Sequence, residues 1–205
     1  MMDYAIEQRL PYARIAGVDE VGRGPWAGPV TAAAVILDPR HIPDGLNDSK
    51  KLSAKRREAL VTQIEAFAEI GIGTASVAEI DEINILQASH LAMRRAIAAL
   101  HTTPDFALID GNRMPGKLPC PAQTLIGGDG RAASIAAASI IAKVHRDAHM
   151  IALSKQHPGY GWETNKGYGT EKHRVGLFCH GVTPHHRRSF KPIHNILYPQ
   201  KNISD

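Results

Sequence analysis

Residues 13–37 read ARIAGVDEVGRGPWAGPVTAAAVIL, and this stretch decides the fold class. Ala13 to Val18 is short and apolar, which predicts a strand that ends by delivering Asp19-Glu20. The glycine-rich turn Gly22-Arg23-Gly24-Pro25 follows. Val30 to Leu37 then predicts a second strand, stopping before Asp38-Pro39. No helical segment separates the two, so the sheet begins with a hairpin-like connection.

Downstream of this pair the pattern changes. Ser53 can cap a helix running to about Ala68, with Leu60, Ile64 and Phe67 on one face. Ile70 to Val77 predicts a third strand. Residues 81–101 predict a helix, because Leu86, Met93, Ile97 and Leu100 recur at helical spacing, acids open it and Arg94-Arg95 lie toward its end. Phe106 to Ile109 and Gln123 to Ile126 predict short strands delivering Asp110-Gly111 and Gly127-Gly128-Asp129. Ser134 to about Gln156 predicts a long Ala-rich helix, and Glu171 to His180 a short one before a basic, turn-rich end. Hairpins first and helix-crossed strands later predict an α/β fold, a mixed sheet covered by helices.

The composition sets the outer limits. At 205 residues the expectation is one domain, and 43% hydrophobic with 21% charged residues excludes a disordered, collagen-like or coiled-coil chain. Apolar runs such as Ala32–Leu37 and Ile135–Ala142 fall far short of the ~18 residues a membrane span needs, so no membrane partner is expected. The opening MMDYAIEQRL has acids and no apolar core, unlike a secretory signal. Cys120 and Cys179 make neither a disulfide framework nor a Cys-x-x-Cys zinc pair, and the expected compartment is cytoplasmic. The net charge of +4 is unevenly placed. Residues 1–130 hold 13 Lys+Arg and 16 Asp+Glu, whereas residues 131–205 hold 11 and 4, with 8 of the 11 histidines. A basic back half points to a polyanion.

The chemistry is expected at the strand ends, where open α/β sheets gather ligands. Asp19-Glu20, Asp110 and Asp129 all fall there. Carboxylates that converge repel one another unless cations or protons neutralise them. A donor set of hard oxygens points to Mg2+ or Mn2+ rather than zinc. Two such ions about 4 Å apart suit in-line phosphoryl chemistry. Asp19 and Glu20 pose a geometric question, because adjacent strand residues point to opposite faces. Either the strand ends or bulges there, or one of the two reaches metal through backbone or water; Asp19 is expected as the central ligand and Glu20 as the peripheral one.

Two motifs are set aside. Gly22 to Gly28 has the spacing G-x-G-x-x-x-G and leads into a strand, so it is no dinucleotide fingerprint. Glycines flanking Arg23 do allow close backbone approach to a ligand beside a cation. His145 and His149 are four apart, but the residues between them, Arg-Asp-Ala, are not those of a zinc protease helix.

GVDEVGRGPWAGPV (17–30), DSKKLS (48–53), Asp110-Gly111, GGDGRAASIAAASIIAKVHRD (127–147), HPGYGWETNKGYGT (157–170) and HRRSF (186–190) together resemble the ribonuclease HII family. The six blocks occur in order across residues 13–192, nearly the whole chain. The resemblance implies a ribonuclease H-like fold, a mixed five-stranded sheet flanked by helices with a C-terminal helical and loop extension. It implies a single catalytic domain over 1–198, with a core of about 13–156, a substrate-gripping extension of about 157–198 and a mobile tail at 199–205. The implied reaction is metal-dependent cleavage of RNA in RNA–DNA hybrids, and of the bond 5′ to a single ribonucleotide embedded in duplex DNA, leaving 3′-hydroxyl and 5′-phosphate ends.

Residue by residue, the resemblance implies an acidic tetrad of Asp19, Glu20, Asp110 and Asp129. Asp19 would bridge two ions, Asp129 would help hold the one that activates water, and Glu20 and Asp110 would serve the other. Gly22-Arg23-Gly24 would contact the ribonucleotide 2′-hydroxyl and nearby phosphate, the group that tells RNA from DNA. Tyr168 would pack on the sugar that follows, favouring RNA–DNA junctions. Lys50, Lys143, Arg146 and Arg187 are expected on phosphates, Ser139 in packing and His173 in a structural role. The protein is expected to act as a monomer. The intact Gly-Arg-Gly motif and lack of an extra N-terminal domain weigh against the sister type, ribonuclease HIII. A resolvase or integrase core of the same fold would predict the acids but not the Gly22–Gly24 and Tyr168 pair, and a non-catalytic binding module would need one acid lost.

Overall fold

The opening stretch forms β1 (Ile15–Val21) and β2 (Val30–Leu37), paired antiparallel in unbroken register from Ala16↔Ile36 to Val21↔Thr31. β3 (Ala68–Ala75) pairs antiparallel with β2, while β4 (Phe106–Asp110) and β5 (Ala122–Leu125) extend the other edge in parallel. The five-stranded order is β3-β2-β1-β4-β5. This computed structural model describes residues 4–199. The seven helices among the described residues are α1 (Ala5–Gln8), α2 (Ala54–Phe67), α3 (Val77–Ala98), α4 (Ala133–Gln156), α5 (Trp162–Asn165), α6 (Glu171–His180) and α7 (Lys191–Leu197).

The helices cover both faces of the sheet, and the period-2 alternation of β1 assigns its residues between them. Ala16 and Val18 pack with Ala92, Met93 and Ala96 of α3. Ile15 packs instead with Ile135 of α4, and a Cβ on Gly17 would collide with the Ser134 backbone. Small residues (Ala133, Ala136, Ala137, Ala138) let α4 lie close to the sheet. Its first turn has no cap of its own. Buried Glu7 of α1 supplies one, accepting from Ser134 N at 2.8 Å and Ser134 Oγ at 2.6 Å.

The mixed sheet and its helix cover agree with the expectation, and several boundaries differ for physical reasons. β1 runs three residues past Val18, through both acids, because Asp19, Glu20 and Val21 stay paired with Ala33, Ala32 and Thr31. β3 stops at Ala75 because Ser76 and Glu79 form a capping box that starts α3 early. α3 is broken at Asn84, whose φ is 66°, and the Asn84 side chain recaps the helix by accepting from Leu86 N and Gln87 N. The basic end holds α7, with proline in its first turn. The tail expected from 199 onward lies outside the described residues except for Pro199. No helix among the described residues is long and apolar enough to cross a membrane.

Candidate active site

Three of the four predicted acids meet at the carboxyl ends of the two central strands. Asp19 leaves β1 on the α4 side, Asp110 ends β4, and Asp129 sits on the short 3-10 turn Gly128–Gly130 before α4. One carboxylate oxygen from each lies within 4.8 Å of the others. The turn is held to β4 by Asp110, whose Oδ1 accepts from Gly128 N at 2.7 Å and more weakly from Asp129 N at 3.4 Å. Asp19 is buried, and its Oδ1 accepts from Glu20 N at 2.7 Å.

Glu20 is not within that cluster. With no bulge in β1, its side chain turns to the α3 face and lines a small polar cavity of about 80 Å³ with Arg23, Ser89, His90, Asp110 and Arg113. Arg23 donates to Glu20 Oε1 at 3.2 Å. The sequence reading expects Asp19 as the central ligand and Glu20 as the peripheral one; Asp19 lies in the three-acid group and Glu20 on the other face of β1.

The acids repel one another. Burial, then the charges of Glu20 and Asp110, push the Asp19 carboxyl well above the ordinary carboxylate value. Burial also raises Glu20, with Arg23 opposing, and raises Asp129, with Asp110 and Asp48 adding to the effect. Lys50 Nζ stands 3.8 Å from Asp129 Oδ2. Burial works against its charge, but Asp48, Asp129, Asp19 and Asp110 outweigh that and hold it above its ordinary value. An all-oxygen donor set that repels itself fits hard divalent cations.

Ser49 and Ser139 place Lys50 there, a signal the sequence did not yield. Their hydroxyls meet at 2.9 Å in a buried contact that ties the Asp48–Lys51 turn to α4. The Ser139 hydroxyl also partly offsets the rise in the Asp19 pKa. Its small size suits close packing, as expected, but its hydroxyl belongs to the acid cluster.

Two buried arginines hold the loop between β1 and β2, and here the structure corrects the sequence. Arg146 and Arg187, expected on phosphates, are 1% and 0% exposed. Arg187 donates to the carbonyls of Gly22, Arg23 and Gly28. Arg146 donates to those of Ala27, Pro29 and Lys166. A carbonyl cage satisfies these donors, so neither side chain is free for solvent phosphate. Burial lowers both guanidinium pKa values, with Arg146 also lowering Arg187, yet both start so far above neutrality that they stay charged. Gly22 has φ +95°, and a Cβ there would run into the Arg146 side chain.

The same loop meets Tyr168. Trp26 N donates to Gly167 O at 2.8 Å, and a Cβ on Gly24 would lie 3.2 Å from Tyr168 Cε1. Tyr168, 47% exposed, thus has its ring beside the Gly-Arg-Gly backbone. Lys143 is half-buried and paired with Asp147 at 2.8 Å. His145 and His149 are exposed and belong to no metal-compatible group among the described residues. Cys120 and Cys179 are both free.

The sequence profile described as Ribonuclease HII matches residues 16–193. The chain belongs to the ribonuclease HII family. Ribonuclease HII of Ruegeria pomeroyi is 63% identical over 201 residues, covering 97% of this chain and 86% of that protein. Ribonuclease HII of Jannaschia sp. is 63% identical over 195 residues, covering 95% and 98%. The crystal structure of the ribonuclease H2 from Pyrococcus horikoshii OT3 is similar with a TM-score of 0.73 at 26% identity, covering 90% of this chain and 97% of that one. As a member of this family, the chain is a hydrolase, an endonuclease that cleaves RNA in RNA–DNA hybrids, and its chemistry depends on a divalent metal. The three-acid group offers oxygen donors that could hold such an ion.

Proposed function

We propose that the enzyme incises duplex DNA on the 5′ side of a single embedded ribonucleotide, as well as cutting the RNA strand of longer hybrids, and leaves 3′-hydroxyl and 5′-phosphate ends. One observation carries the reading. The Asp19, Asp110 and Asp129 cluster lies one loop away from a Gly-Arg-Gly backbone that abuts an exposed tyrosine. Asp19, Asp110 and Asp129, with Glu20 on the opposite face of β1, would hold two divalent ions, Mg2+ or Mn2+. Ions held by carboxylates supply a water nucleophile at neutral pH and neutralise charge on the leaving oxygen.

This chain's own residues do the rest. The Gly22–Gly24 backbone offers a close approach for a 2′-hydroxyl, which is both donor and acceptor. Arg23, paired with Glu20, would meet the neighbouring phosphate. Tyr168 would stack on the following sugar, where a 2′-hydroxyl would crowd the ring. Lys50 and Lys143 add salt-dependent affinity without sequence preference. The elements after residue 157 form the extension that grips the duplex, and the protein works as a cytoplasmic monomer.

The experiment is product mapping on a DNA duplex holding one ribonucleotide, with Mg2+ or Mn2+. The reading expects a cut 5′ to the ribonucleotide and a 3′-hydroxyl end. A cut on its 3′ side, or a 2′,3′-cyclic phosphate from attack by the ribose itself, would overturn it.

A further inference from the structure

We propose that His173 and His186 are positioning residues for Tyr168: a neutral, tautomer-locked pair whose hydrogen bonds end on the Tyr168 carbonyl and hold its ring against the Gly22–Gly24 loop. The proposal rests on the reading of Tyr168 given above.

The hydrogen-bond inventory fixes each proton. Thr183 N donates to His186 Nδ1 at 3.0 Å, and the Thr183 hydroxyl lies 2.9 Å from the same nitrogen. A nitrogen that accepts a backbone N–H carries no proton, so His186 is protonated at Nε2. That Nε2–H faces His173 Nε2 at 3.0 Å. Trp162 Nε1–H, which can only donate, points at the same atom from 3.2 Å. His173 Nε2 is therefore the acceptor, and its proton sits on Nδ1, which donates to Tyr168 O at 3.0 Å. With the opposite tautomer of either ring, donors would face donors.

The pair is also kept from charging. His173, His186 and Trp162 are fully buried. Burial lowers both imidazoles, and His186 is brought down to about 3, with His173 contributing. Either ring as an imidazolium would break the chain of donors.

The chain ends on the residue that matters for recognition. Trp26 crowds Gly169 on one side of Tyr168, and the Ala27 carbonyl crowds Gly167 on the other. His173 Nδ1 and Thr170 N both donate to the carbonyl between them. The ring is the part left half-exposed. A stacking group is useful only when held near its working geometry, and small displacements cost large factors in rate.

Two substitutions separate positioning from bulk stability. His173→Asn can keep a donor near the Nδ1 position and loses the far acceptor; His173→Gln keeps the far acceptor and loses the donor to Tyr168 O. The readout is kcat/KM on a single embedded ribonucleotide divided by kcat/KM on a long hybrid, with Tyr168→Ala alongside. The expected result is a ratio lowered by Tyr168→Ala, lowered about fivefold by His173→Gln, the scale of one lost hydrogen bond, and retained by His173→Asn. If Tyr168→Ala leaves the ratio unchanged, the junction reading fails and this proposal with it. If Tyr168→Ala lowers it while the Asn and Gln variants behave alike, the histidine proposal is overturned and the junction reading stands. Should both variants unfold, long-range 1H–15N correlation spectra of the wild-type protein decide. Nδ1–H on His173 with Nε2–H on His186 is the expected state; any other tautomer, or an imidazolium at pH 7, overturns it.

Discussion

Asp19 and Glu20 are adjacent on β1 and face opposite sides of the sheet, Asp19 toward Ser139 of α4 and Glu20 into the cavity under α3. The two acids should therefore differ in weight. Asp19→Asn is expected to lower incision by about 100-fold or more, since changes to groups that only support metal ligands already cost 10–100-fold. Glu20→Gln is expected to lower it less, and added metal should recover part of the loss. Titrating Mg2+ and Mn2+ against initial rate for both variants checks this.

The same burial makes Asp19 a liability without metal. Its folded pKa lies above the unfolded one, so the folded state holds more protons between the two values, and stability falls as pH rises through that window. Asp19→Asn removes this loss. It is expected to raise the metal-free melting temperature by a few degrees at pH 8, as about 1 kcal/mol corresponds to roughly 2–4 °C at this chain length. The gain should shrink as pH falls toward the ordinary carboxylate range, where both states are protonated. Melting curves in chelator from pH 5 to 8 measure it.

Arg187 and Arg188 are neighbours with opposite environments. Arg187→Lys replaces a fork that satisfies three carbonyls with one ammonium, and is expected to cost about 3 kcal/mol of stability. It should also impair incision, because Gly22 and Arg23 lose their anchor. Arg188→Lys, on an exposed residue, should leave the melting temperature unchanged. Denaturant titration of the two variants makes the comparison.

Lys50 should behave as a phosphate contact poised at the acids. Lys50→Ala is expected to reduce the slope of log binding constant against log salt by about 0.9, the share of one phosphate contact. Divalent-ion affinity should rise slightly, since Asp129 loses a competing cation. Duplex binding across a salt series, done in chelator to prevent cleavage, reads the first effect; calorimetry with Mg2+ reads the second.

Much of this was legible in the residues. Short apolar runs and turn chemistry predict all five strands, and Ser53 caps its helix as expected, accepting from Arg56 N at 3.2 Å. The acids could be placed because strand ends converge in such a sheet. The capping box Ser76-Val77-Ala78-Glu79 begins inside the strand expected to Val77, and it starts the third helix at Val77 rather than at 81. What escaped depended on long-range contacts. Arg146 does lie on the buried stripe of its helix with Ala142, Met150 and Leu153, so its spacing carried a warning that its charge obscured. Arg187 had no such signal, because its guanidinium fork is satisfied by carbonyls more than 150 residues earlier. Ser139 and Ser49 were likewise invisible as partners, being 90 residues apart.

The most direct test of the central claim is the activity of Asp110→Asn on a duplex carrying one ribonucleotide, at saturating Mg2+ and with folding verified by its melting curve. Asp110 joins β4 to the Asp129 turn and supplies one oxygen of the acid cluster. The account predicts that cutting 5′ to the ribonucleotide falls at least about 100-fold. A folded Asp110→Asn protein that cuts as fast as wild type would contradict it.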